Sequence, residues 1–335
     1  MTRVLLTGAG GFIGAHTLRH LLLETDWDVV ATDSFRHKGK CDRITCSLDG
    51  IGGWRERVTV ITHDLAAPFS PQMAARIGAV DFVIAMASAS HVDRSISDPA
   101  AFIRNNTDVA LSTLEFCRAA GPAHVILIST DEVYGPVERG SAGHPEWAPI
   151  LPSNPYSASK AAQEAIAISY WRTYGLPLTI VNCMNLIGEM QDPEKYLPSL
   201  IANISAGRTV TVHGRPGDIG TRHYLHARNL ADALLHVFRE LPPALFPDAA
   251  RPDRYNIASA DRVSNLELAQ MVAQILGRPL RYQLEDFHST RPGHDPHYGL
   301  DPGKMTAAGW KPPVPFAESL ERTVRWTTGH PEWMR

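Results

Sequence analysis

A run of polar residues near the middle of the chain carries the clearest chemical signal. The segment S-T-D-E-V-Y-G at 129–135 directly follows an apolar run at 125–128 that predicts a buried parallel strand. Thr130, Asp131 and Glu132 are poor packing residues, but together they offer a hydrogen-bond donor and two carboxyl groups for proton transfer. The segment therefore predicts acid–base chemistry at the open end of a strand.

Downstream, Tyr156 and Lys160 lie four residues apart in Y-S-A-S-K, so they share one face of a predicted helix. An ammonium beside a phenol is expected to favour the phenolate and to lower its pKa from ~10 toward neutrality. Such a Tyr can take a proton from a substrate hydroxyl while a hydride leaves the same carbon for nicotinamide. The spacing alone is common on helix surfaces. Combined with the polar strand end, it predicts redox-coupled chemistry on a carbohydrate.

A glycine-rich turn follows the first predicted strand and opens the first predicted helix. G-A-G-G-F-I-G at 8–14 has the spacing that lets backbone approach a pyrophosphate at a helix N-terminus. Asp33 ends the second predicted strand about 20 residues further on, where a carboxylate can accept both ribose hydroxyls. This favours NAD. The basic run at 36–38 could cradle a 2′-phosphate and leaves NADP as the less favoured alternative.

Asp64-Leu65 follows the third predicted strand, where it could hold the adenine amino group or could equally form an ordinary strand-end turn. The candidate cofactor-binding residues are Gly8, Gly11, Phe12, Ile13, Gly14, Asp33, Asp64, Leu65, Ala87, Tyr156 and Lys160.

Length and composition exclude several classes of protein. The 335 residues suffice for one large or two modest domains, and a formal charge of −3 gives no basic field for nucleic acid. Four cysteines without metal-site or disulfide-framework spacing indicate a reduced, intracellular protein. No stretch approaches the ~18 apolar residues of a membrane span. The fifteen histidines show no compact ligand arrangement, so no metal is predicted. We expect a cytoplasmic enzyme.

Short apolar runs alternate with helical patterns through residue 183. They predict strands at 3–7, 28–32, 57–62, 81–86, 124–129 and 178–183 and helices at 12–24, 99–119 and 155–173. This alternation predicts an α/β fold, a Rossmann-type doubly wound parallel sheet with ligands at the carboxyl ends of its strands.

Beyond about residue 185 the pattern changes, and helices predicted at 228–239, 264–275 and 315–328 are separated by short strands and loops. We expect 1–184 to form the NAD-binding domain, including the helix of Tyr156 and Lys160. Residues 185–335 should form mainly a smaller α/β substrate-binding cap, interleaved with the first domain, and parts of 210–260 could return to the sheet.

Taken together, these motifs resemble those of extended short-chain dehydrogenase/reductases and, within them, of nucleotide-sugar 4,6-dehydratases of the dTDP-glucose type. The resemblance runs nearly end to end. It includes T-G-x-x-G-x-x-G at 7–14, S-H-V-D-R-S at 90–95, S-T-D-E-V-Y-G at 129–135, P-Y-S-A-S-K at 155–160, P-E-K at 193–195 and R-P-G-H-D at 291–295. The consecutive Thr-Asp-Glu is the most specific of these, because related epimerases usually lack the acidic pair at that place.

The resemblance implies a three-stage reaction. Tyr156, assisted by Thr130 and Lys160, would deprotonate the hydroxyl at carbon 4 while hydride passes to NAD. Glu132 would then remove the hydrogen at carbon 5, and Asp131 would protonate the departing hydroxyl at carbon 6. Return of the hydride to carbon 6 would give a 4-keto-6-deoxy sugar. The two neighbouring carboxyl groups must therefore hold opposite protonation states.

By position, the resemblance also implies contacts to a nucleotide-diphosphate hexose. Arg and Lys suit phosphate because they make charge-assisted hydrogen bonds, although each could equally be a surface charge, and His91 could equally be a packed histidine. The candidate substrate-binding residues are His91, Asn185, Lys195, His213, Arg222, Asn265, Arg291 and His294.

Departures from the family pattern all lie in the substrate half. The family segment usually reads A-A-E-S-H, but residues 87–91 of this chain read A-S-A-S-H and lack its carboxylate. Where the family usually has N-N-Y-G, residues 185–188 read N-L-I-G. His213 stands where a base-stacking aromatic is usual, and R-H-Y at 222–224 replaces R-D-W or R-E-W. The redox and elimination residues are intact. The reaction type is therefore better indicated than the sugar or the base, and thymidine specificity is not indicated.

Several alternatives stay open. The chain could be another nucleotide-sugar enzyme of the superfamily, namely an epimerase, a decarboxylase or a 5,6-dehydratase. An epimerase, however, has no need for Asp131 beside Glu132. A remote alternative is a catalytically silent NAD-binding regulator, against which intact Tyr156 and Lys160 argue. The resemblance also implies a homodimer, in which helices 99–119 and 155–173 would pack into a four-helix bundle.

Overall fold

A parallel sheet of seven strands forms the main body of the protein. The computed structural model describes residues 1–286 and 293–334. The strands of this sheet are β1 (Arg3–Thr7), β2 (Asp28–Asp33), β3 (Val58–Thr62), β4 (Phe82–Ala85), β5 (His124–Thr130), β6 (Leu178–Cys183) and β12 (Asp253–Ile257). Their spatial order is β12-β6-β5-β4-β1-β2-β3, and all neighbours are parallel. The strand order reverses between β1 and β4, and ligands of such sheets bind at this switch point.

Helices connect the strands and cover both faces of the sheet. In chain order, the helices up to residue 276 are α1 (Phe12–Glu24), α2 (Cys41–Leu48), α3 (Trp54–Arg57), α4 (Pro71–Ile77), α5 (Val92–Ser97), α6 (Pro99–Ala120), α7 (Pro155–Tyr174), α8 (Tyr196–Ser205), α9 (Ala227–Glu240) and α10 (Asn265–Leu276). Of these, α8 and α10 belong to a smaller unit beside the sheet. Every predicted strand and helix is present, and each end lies within one residue of its predicted position. The prediction missed short helices such as α2, α4 and α5, because a helical period is recognised over a window of about 11 to 18 residues.

Successive residues of the central strands enter two separate apolar cores. Leu6 of β1 packs with residues of α1 and α9 on one face, whereas Leu5 packs with residues of α6 and α7 on the other. Because side chains of a strand alternate between faces, a strand covered on both faces has a continuous apolar sequence. The arrangement confirms the predicted fold class, a Rossmann-type doubly wound parallel sheet.

A smaller α/β unit beside the sheet has its own apolar core. Leu200 of α8, Leu268 of α10 and Leu320 of the C-terminal helix Phe316–Gly329 meet in this core. Its short strands are β7 (Leu186–Ile187), β8 (Val210–Arg215), β9 (Asp218–Ile219), β10 (Thr221–His223), β11 (Leu225–His226), β13 (Arg262–Ser264) and β14 (Tyr282–Glu285). The chain returns to the main sheet through β12, which pairs with β6. The domain boundary at 184–185 stays a prediction.

Two local features place the reactive residues. Gly8 has a φ of 74°, and a Cβ on Gly14 would lie 2.1 Å from the Gly8 carbonyl oxygen, so the turn between β1 and α1 requires glycine at both positions. Helix α7 begins after Asn154, whose side chain accepts a hydrogen bond from the Ser157 amide in a reciprocal capping box. This cap fixes Tyr156 in the first turn of α7.

Among the residues that the structure describes, none of the helices combines the length and the apolar character needed to cross a bilayer.

A buried ion pair lies behind the open end of β5. Nη2 of Arg254 on β12 donates to Oε2 of Glu164 on α7 at 2.7 Å, and the two side chains are 1% and 0% exposed. Nη1 of Arg254 donates to the Tyr134 hydroxyl at 3.0 Å, and Glu164 Oε1 accepts from Asn182 Nδ2 at 2.9 Å. Either charge alone would be buried without compensation.

Arg254→Met should therefore destabilise the fold strongly, because it leaves the Glu164 carboxylate buried without its counter-charge. We expect the free energy of unfolding, measured with urea, to fall by about 3–5 kcal/mol. Arg325→Met is the matched control: it removes an ion pair to Glu321 whose side chains are 67% and 52% exposed, and it should cost less than ~1 kcal/mol. Equal losses in the two variants would contradict the assigned importance of the buried pair.

Candidate active site

One cleft at the carboxyl ends of the sheet strands collects the predicted site residues. Its volume is about 1280 Å³, and it is bounded by the main sheet on one side and the smaller unit on the other. Residues predicted to be catalytic, to bind cofactor or to bind substrate all line it, with the exception of Arg291, which lies outside the described residues. Segments that are far apart in the chain thus share one cavity.

The cofactor end of the cleft is built on the turn between β1 and α1. Gly11 precedes α1 without a side-chain cap, so the first amides of this helix face the cleft, as binding of a pyrophosphate requires. At the end of β2, Asp33 accepts hydrogen bonds from the amides of Gly10 and Phe35, each at 2.9 Å. These bonds hold the carboxylate in a fixed orientation in the cleft. The residues present fit a dinucleotide.

Basic side chains after β2 are paired with acids. Arg36 Nη1 lies 2.5 Å from Asp64 Oδ2, and Lys38 Nζ lies 3.0 Å from Glu194 Oε2. Their charges are therefore already balanced, and a carboxylate at Asp33 would repel a 2′-phosphate. Both features favour NAD over NADP. The predicted contact of Asp64 with adenine stays a prediction.

The acid–base centre lies where β5 ends. Asp131 and Glu132 form a short 3₁₀ turn directly after Thr130, whose hydroxyl donates to Asp131 Oδ1 at 2.9 Å. Asn154 Nδ2 donates to Glu132 Oε2 at 3.2 Å, so the cap of α7 also holds this carboxyl. Tyr156 follows in the first turn of α7 and lines the same cleft. The two carboxyl groups and the phenol therefore converge.

The two carboxyl groups have different surroundings. Burial, with a smaller contribution from the charge of Glu132, raises the pKa of Asp131 to about 7. Among the described residues, Asp131 Oδ2 has no hydrogen-bond partner. Burial also raises the pKa of Glu132, but the hydrogen bond from Asn154 and the charge of Arg222 oppose this effect. The arrangement can hold a proton on one carboxyl while the other accepts one.

The expectation of a lowered phenol pKa is wrong for the protein's own groups. Burial raises the pKa of Tyr156 well above its usual value, and the charge of Glu132 adds to this. Lys160 Nζ instead donates to Ile128 O and to Gln163 Oε1, each at 2.6 Å, and burial lowers its pKa to about 8. The ammonium is directed toward the strand and its own helix, so it does not offset the effect of burial on the phenol.

Among the candidate substrate-binding residues, Arg222 binds the backbone of a neighbouring loop. Its Nη1 and Nη2 donate to the carbonyl oxygens of Pro296 and Asp295 at 2.6 and 2.7 Å, and the guanidinium lies 4.5 Å from the centre of the Tyr298 ring. Arg222 thus fixes the loop that carries His294. Its proposed role as a phosphate ligand stays a prediction.

Lys195 and His294 connect neighbouring parts of the cleft wall. Lys195 Nζ donates to Ser90 O at 3.1 Å, and His294 Nε2 lies 2.9 Å from Asp93 Oδ1. His91 stands at the start of α5, where burial lowers its pKa. All three line the cleft, and their contacts to substrate stay predictions.

Three further candidates lie on the wall formed by the smaller unit. Asn265 Oδ1 accepts from the Tyr224 hydroxyl at 3.4 Å, His213 is a half-buried residue of β8, and Asn185 is exposed. They line the cleft together with apolar residues of α8, such as Leu197 and Leu200. This composition suits the base and ribose of a nucleotide.

Comparison with known proteins places the chain in a family. Residues 4–258 match the NAD dependent epimerase/dehydratase family. The chain belongs to this family. The resemblance found in its motifs is thereby confirmed.

Relatives of this member of the epimerase/dehydratase family are similar over nearly the whole chain. A dTDP-glucose 4,6-dehydratase of Neisseria meningitidis serogroup B is 32% identical, and the alignment covers 99% of this chain and 95% of the relative. The low-salt glycan biosynthesis protein Agl12 of Haloferax volcanii is 33% identical, with 98% and 99% covered.

Two solved structures of family members have different activities on the same fold. DesIV, a dTDP-glucose 4,6-dehydratase from Streptomyces venezuelae with NAD bound, has a TM-score of 0.85 and 31% identity, covering 99% of this chain and 98% of that one. A UDP-glucose 4-epimerase from Thermus thermophilus in complex with NAD has a TM-score of 0.83 and 28% identity, covering 98% and 100%. Similarity of the overall fold therefore does not distinguish a dehydratase from an epimerase.

Two asparagines that the sequence patterns did not single out support the segments that line the cleft. Asn154 orients Glu132, and Asn106 exchanges hydrogen bonds with the backbone of Ala89 and donates to the Ser159 hydroxyl. An Asn immediately before Pro155 is a recognisable helix-cap signal and could have been found. Asn106 is buried in the middle of a helical pattern, and its partners are set only by tertiary contacts.

One buried cluster outside the cleft has the composition of a metal site but a different bonding pattern. His16, Glu189 and His226 offer ligand atoms within 4.8 Å of one another. However, His226 Nδ1 accepts from the Arg228 amide at 3.0 Å, so its proton is on Nε2, which donates to Glu189 Oε2 at 2.9 Å. Arg322 Nε donates to the other carboxylate oxygen at 2.5 Å. These bonds satisfy the Glu189 carboxylate without a metal ion.

Asp131→Asn tests whether Asp131 is neutral in the folded protein near neutral pH. Folding raises the pKa of this carboxyl from 3.8 to about 7, so between these values the folded state binds more protons than the unfolded state. The contribution of Asp131 to stability is therefore present at low pH and is lost as pH rises through about 7. We expect the wild type to lose stability relative to the Asn variant between ~pH 4 and ~pH 8, as measured by urea unfolding.

Asp248→Asn, at an exposed side chain, serves as the control and should keep the pH profile of the wild type. A constant stability difference between the wild type and the Asp131 variant at all pH values would contradict the raised pKa.

Proposed function

We propose that the protein dehydrates a nucleotide-activated hexose to a 4-keto-6-deoxy sugar, using bound NAD. The observation that carries the proposal is the position of Asp131 and Glu132 beside Tyr156 in one cleft, next to a dinucleotide-binding turn. Similarity to dTDP-glucose 4,6-dehydratases over 99% of the chain supports the same reaction class. The base and the hexose are left open, because the residues expected to recognise them depart from the family pattern.

NAD would be held by the turn at 8–14, by Asp33 and by Asp64-Leu65. When bound, the oxidised nicotinamide supplies a hydride acceptor and a positive charge that favours a phenolate nearby. In this chain Tyr156 takes the proton of the hydroxyl on carbon 4, and Thr130 orients that hydroxyl. Lys160 anchors α7 against β5 through Ile128 O, so the phenol keeps its position during the transfer.

Elimination then uses the two carboxyl groups in different states. Glu132, held by Asn154, accepts the proton from carbon 5, which the new carbonyl at carbon 4 has acidified. Asp131, with its pKa near 7, gives its proton to the hydroxyl that leaves carbon 6 as water. Carbon 6 would then take up the hydride that NAD would have accepted from carbon 4, and Glu132 would return a proton to carbon 5. Asp131 would regain one proton, which balances the proton that Tyr156 took from the carbon-4 hydroxyl. The net change is the loss of one water molecule, with no net change in the cofactor.

An epimerase is the nearest alternative, since a UDP-glucose 4-epimerase shares the fold. Epimerisation at carbon 4 needs oxidation and reduction at that carbon alone. It has no use for a neutral acid and a base beyond Tyr156. The acidic pair at 131–132 therefore favours dehydration over epimerisation, decarboxylation or a silent NAD-binding role.

The direct test incubates purified protein with glucose and related hexoses activated by thymidine, uridine, guanosine or cytidine diphosphate. We expect at least one substrate to give the alkali-induced absorbance of a 4-keto sugar and, by mass spectrometry, a product lighter by one water. NADH should not accumulate. Conversion without change of mass would indicate an epimerase, and no reaction with any hexose would favour a regulator.

Glu132→Gln should separate oxidation from elimination. The amide cannot accept the proton from carbon 5, so we expect the rate of water loss to fall by about 10²-fold or more, while NAD binding and carbon-4 oxidation persist. The measurement combines product mass with the absorbance of enzyme-bound NADH, which should build up. Tyr156→Phe is the comparison variant and should suppress NADH formation itself. Dehydration at the parental rate by the Gln variant would refute the assignment of Glu132 as base.

A further inference from the structure

We propose that Arg43 is a positioning residue of the cofactor site: its guanidinium ties the glycine-rich turn and the loop after β2 to the substrate side of the cleft. The proposal rests on the proposed function only in taking NAD as the bound nucleotide. Arg43 lies on α2, is 0% exposed and does not line the cleft. Any effect on the cofactor must therefore pass through the segments that it holds.

On the cofactor side, one nitrogen of Arg43 joins two segments. Nη1 donates to Gly10 O at 2.9 Å and to Lys38 O at 2.6 Å. Gly10 O also accepts from the Lys40 amide at 2.9 Å. Gly10 belongs to the turn that would face the pyrophosphate, and Lys38 belongs to the loop 34–40 that follows Asp33. Arg43 thus fixes the spacing between the two walls of the dinucleotide site.

On the substrate side, the remaining nitrogens hold the turn 189–192. Nε of Arg43 donates to Met190 O at 3.1 Å, and Nη2 donates to Asp192 Oδ1 at 3.4 Å. Met190 has a φ of 63°, in the left-handed region that a side chain disfavours, so this turn needs support from its surroundings. The turn leads directly to Glu194 and Lys195 on the cleft wall.

The guanidinium is suited to this task and a lysine is not. Arg43 uses all three of its nitrogens on four acceptors from three parts of the chain. Its planar fork of five N–H groups allows this, whereas an ammonium is a single point with three donors. The Trp333 ring, 5.3 Å from the guanidinium carbon, covers the site, and Asp192 balances the charge.

The other side-chain contacts of the loop 34–40 lie nearer to solvent. Arg36 pairs with Asp64, with side chains 52% and 38% exposed, and Lys38 pairs with Glu194, with side chains 38% and 25% exposed. Exposed ion pairs are screened by water and salt and hold a loop weakly. Without Arg43 the loop would therefore open more readily, and NAD would dissociate faster.

Arg57 provides a matched control. It is a half-buried arginine that likewise holds backbone carbonyls, donating to Leu22 O at 3.0 Å, Thr25 O at 2.7 Å and Trp27 O at 2.9 Å. These acceptors lie at the far end of α1, and Arg57 does not line the cleft. Its loss should destabilise the fold without reaching the cofactor.

The experiment compares Arg43→Met, Arg43→Lys and Arg57→Met in the full chain, stripped of nucleotide. NAD affinity is measured by isothermal titration calorimetry, and thermal unfolding is recorded in parallel. We expect Arg43→Met to raise the Kd for NAD by about 10-fold or more, with Arg43→Lys between it and the wild type. Arg57→Met should lower the Tm but keep the Kd within about 2-fold of the wild type.

Wild-type affinity in the Arg43 variants would overturn the proposal, and so would an equal loss of affinity in Arg57→Met, which would indicate general destabilisation. If Arg43→Met does not fold, Arg43→Lys decides by the same comparison. The readout does not depend on any nucleotide sugar. Failure of the dehydration proposal would appear in the turnover assay, whereas failure of this proposal would appear in NAD binding alone.

Discussion

Two adjacent carboxyl groups at the end of β5, of which Asp131 is buried and Glu132 half-buried, set the constraint on which the proposed chemistry depends. An exposed Asp131 would be ionised near neutral pH and could not donate a proton. Its burial behind Thr130 raises its pKa to about 7, while Glu132 is stabilised as an acceptor by Asn154. The sheet provides this environment because the carboxyl end of a central strand is covered on both sides by neighbouring strands and helices.

Buried polar groups on neighbouring elements hold the 3₁₀ turn that follows β5 in place. Asn182 donates to the Thr130 carbonyl oxygen and to Glu164, each at 2.9 Å, and Glu164 is paired with Arg254. These groups lie on β6, α7 and β12, so the last strand of the sheet contributes to the position of the acid–base turn. Stability and reactivity are thereby connected, since loosening this network would loosen Thr130.

Proteins with the fold of this chain include both a 4,6-dehydratase and a 4-epimerase of nucleotide sugars. In the proposed reaction, the cofactor turn, Tyr156 and Lys160 would serve the transfer of a hydride at carbon 4. The fate of the oxidised sugar would then depend on the polar groups at the end of β5, which in this chain are Asp131 and Glu132. The cofactor and substrate halves of the cleft are built by separate segments, and Arg43 is positioned where the segments meet.

Strands and long helices, the dinucleotide turn and the candidate catalytic set at 130–132, 156 and 160 could be predicted from the sequence, because each depends on local periodicity or spacing. How these groups act on one another became visible only in the folded chain. It showed that Lys160 is directed at Ile128 O rather than at the phenol, that Arg222 holds a loop, and that Arg43 links distant segments. Burial and long-range pairing set pKa values and hydrogen-bond partners, and neither can be read from neighbours in the chain.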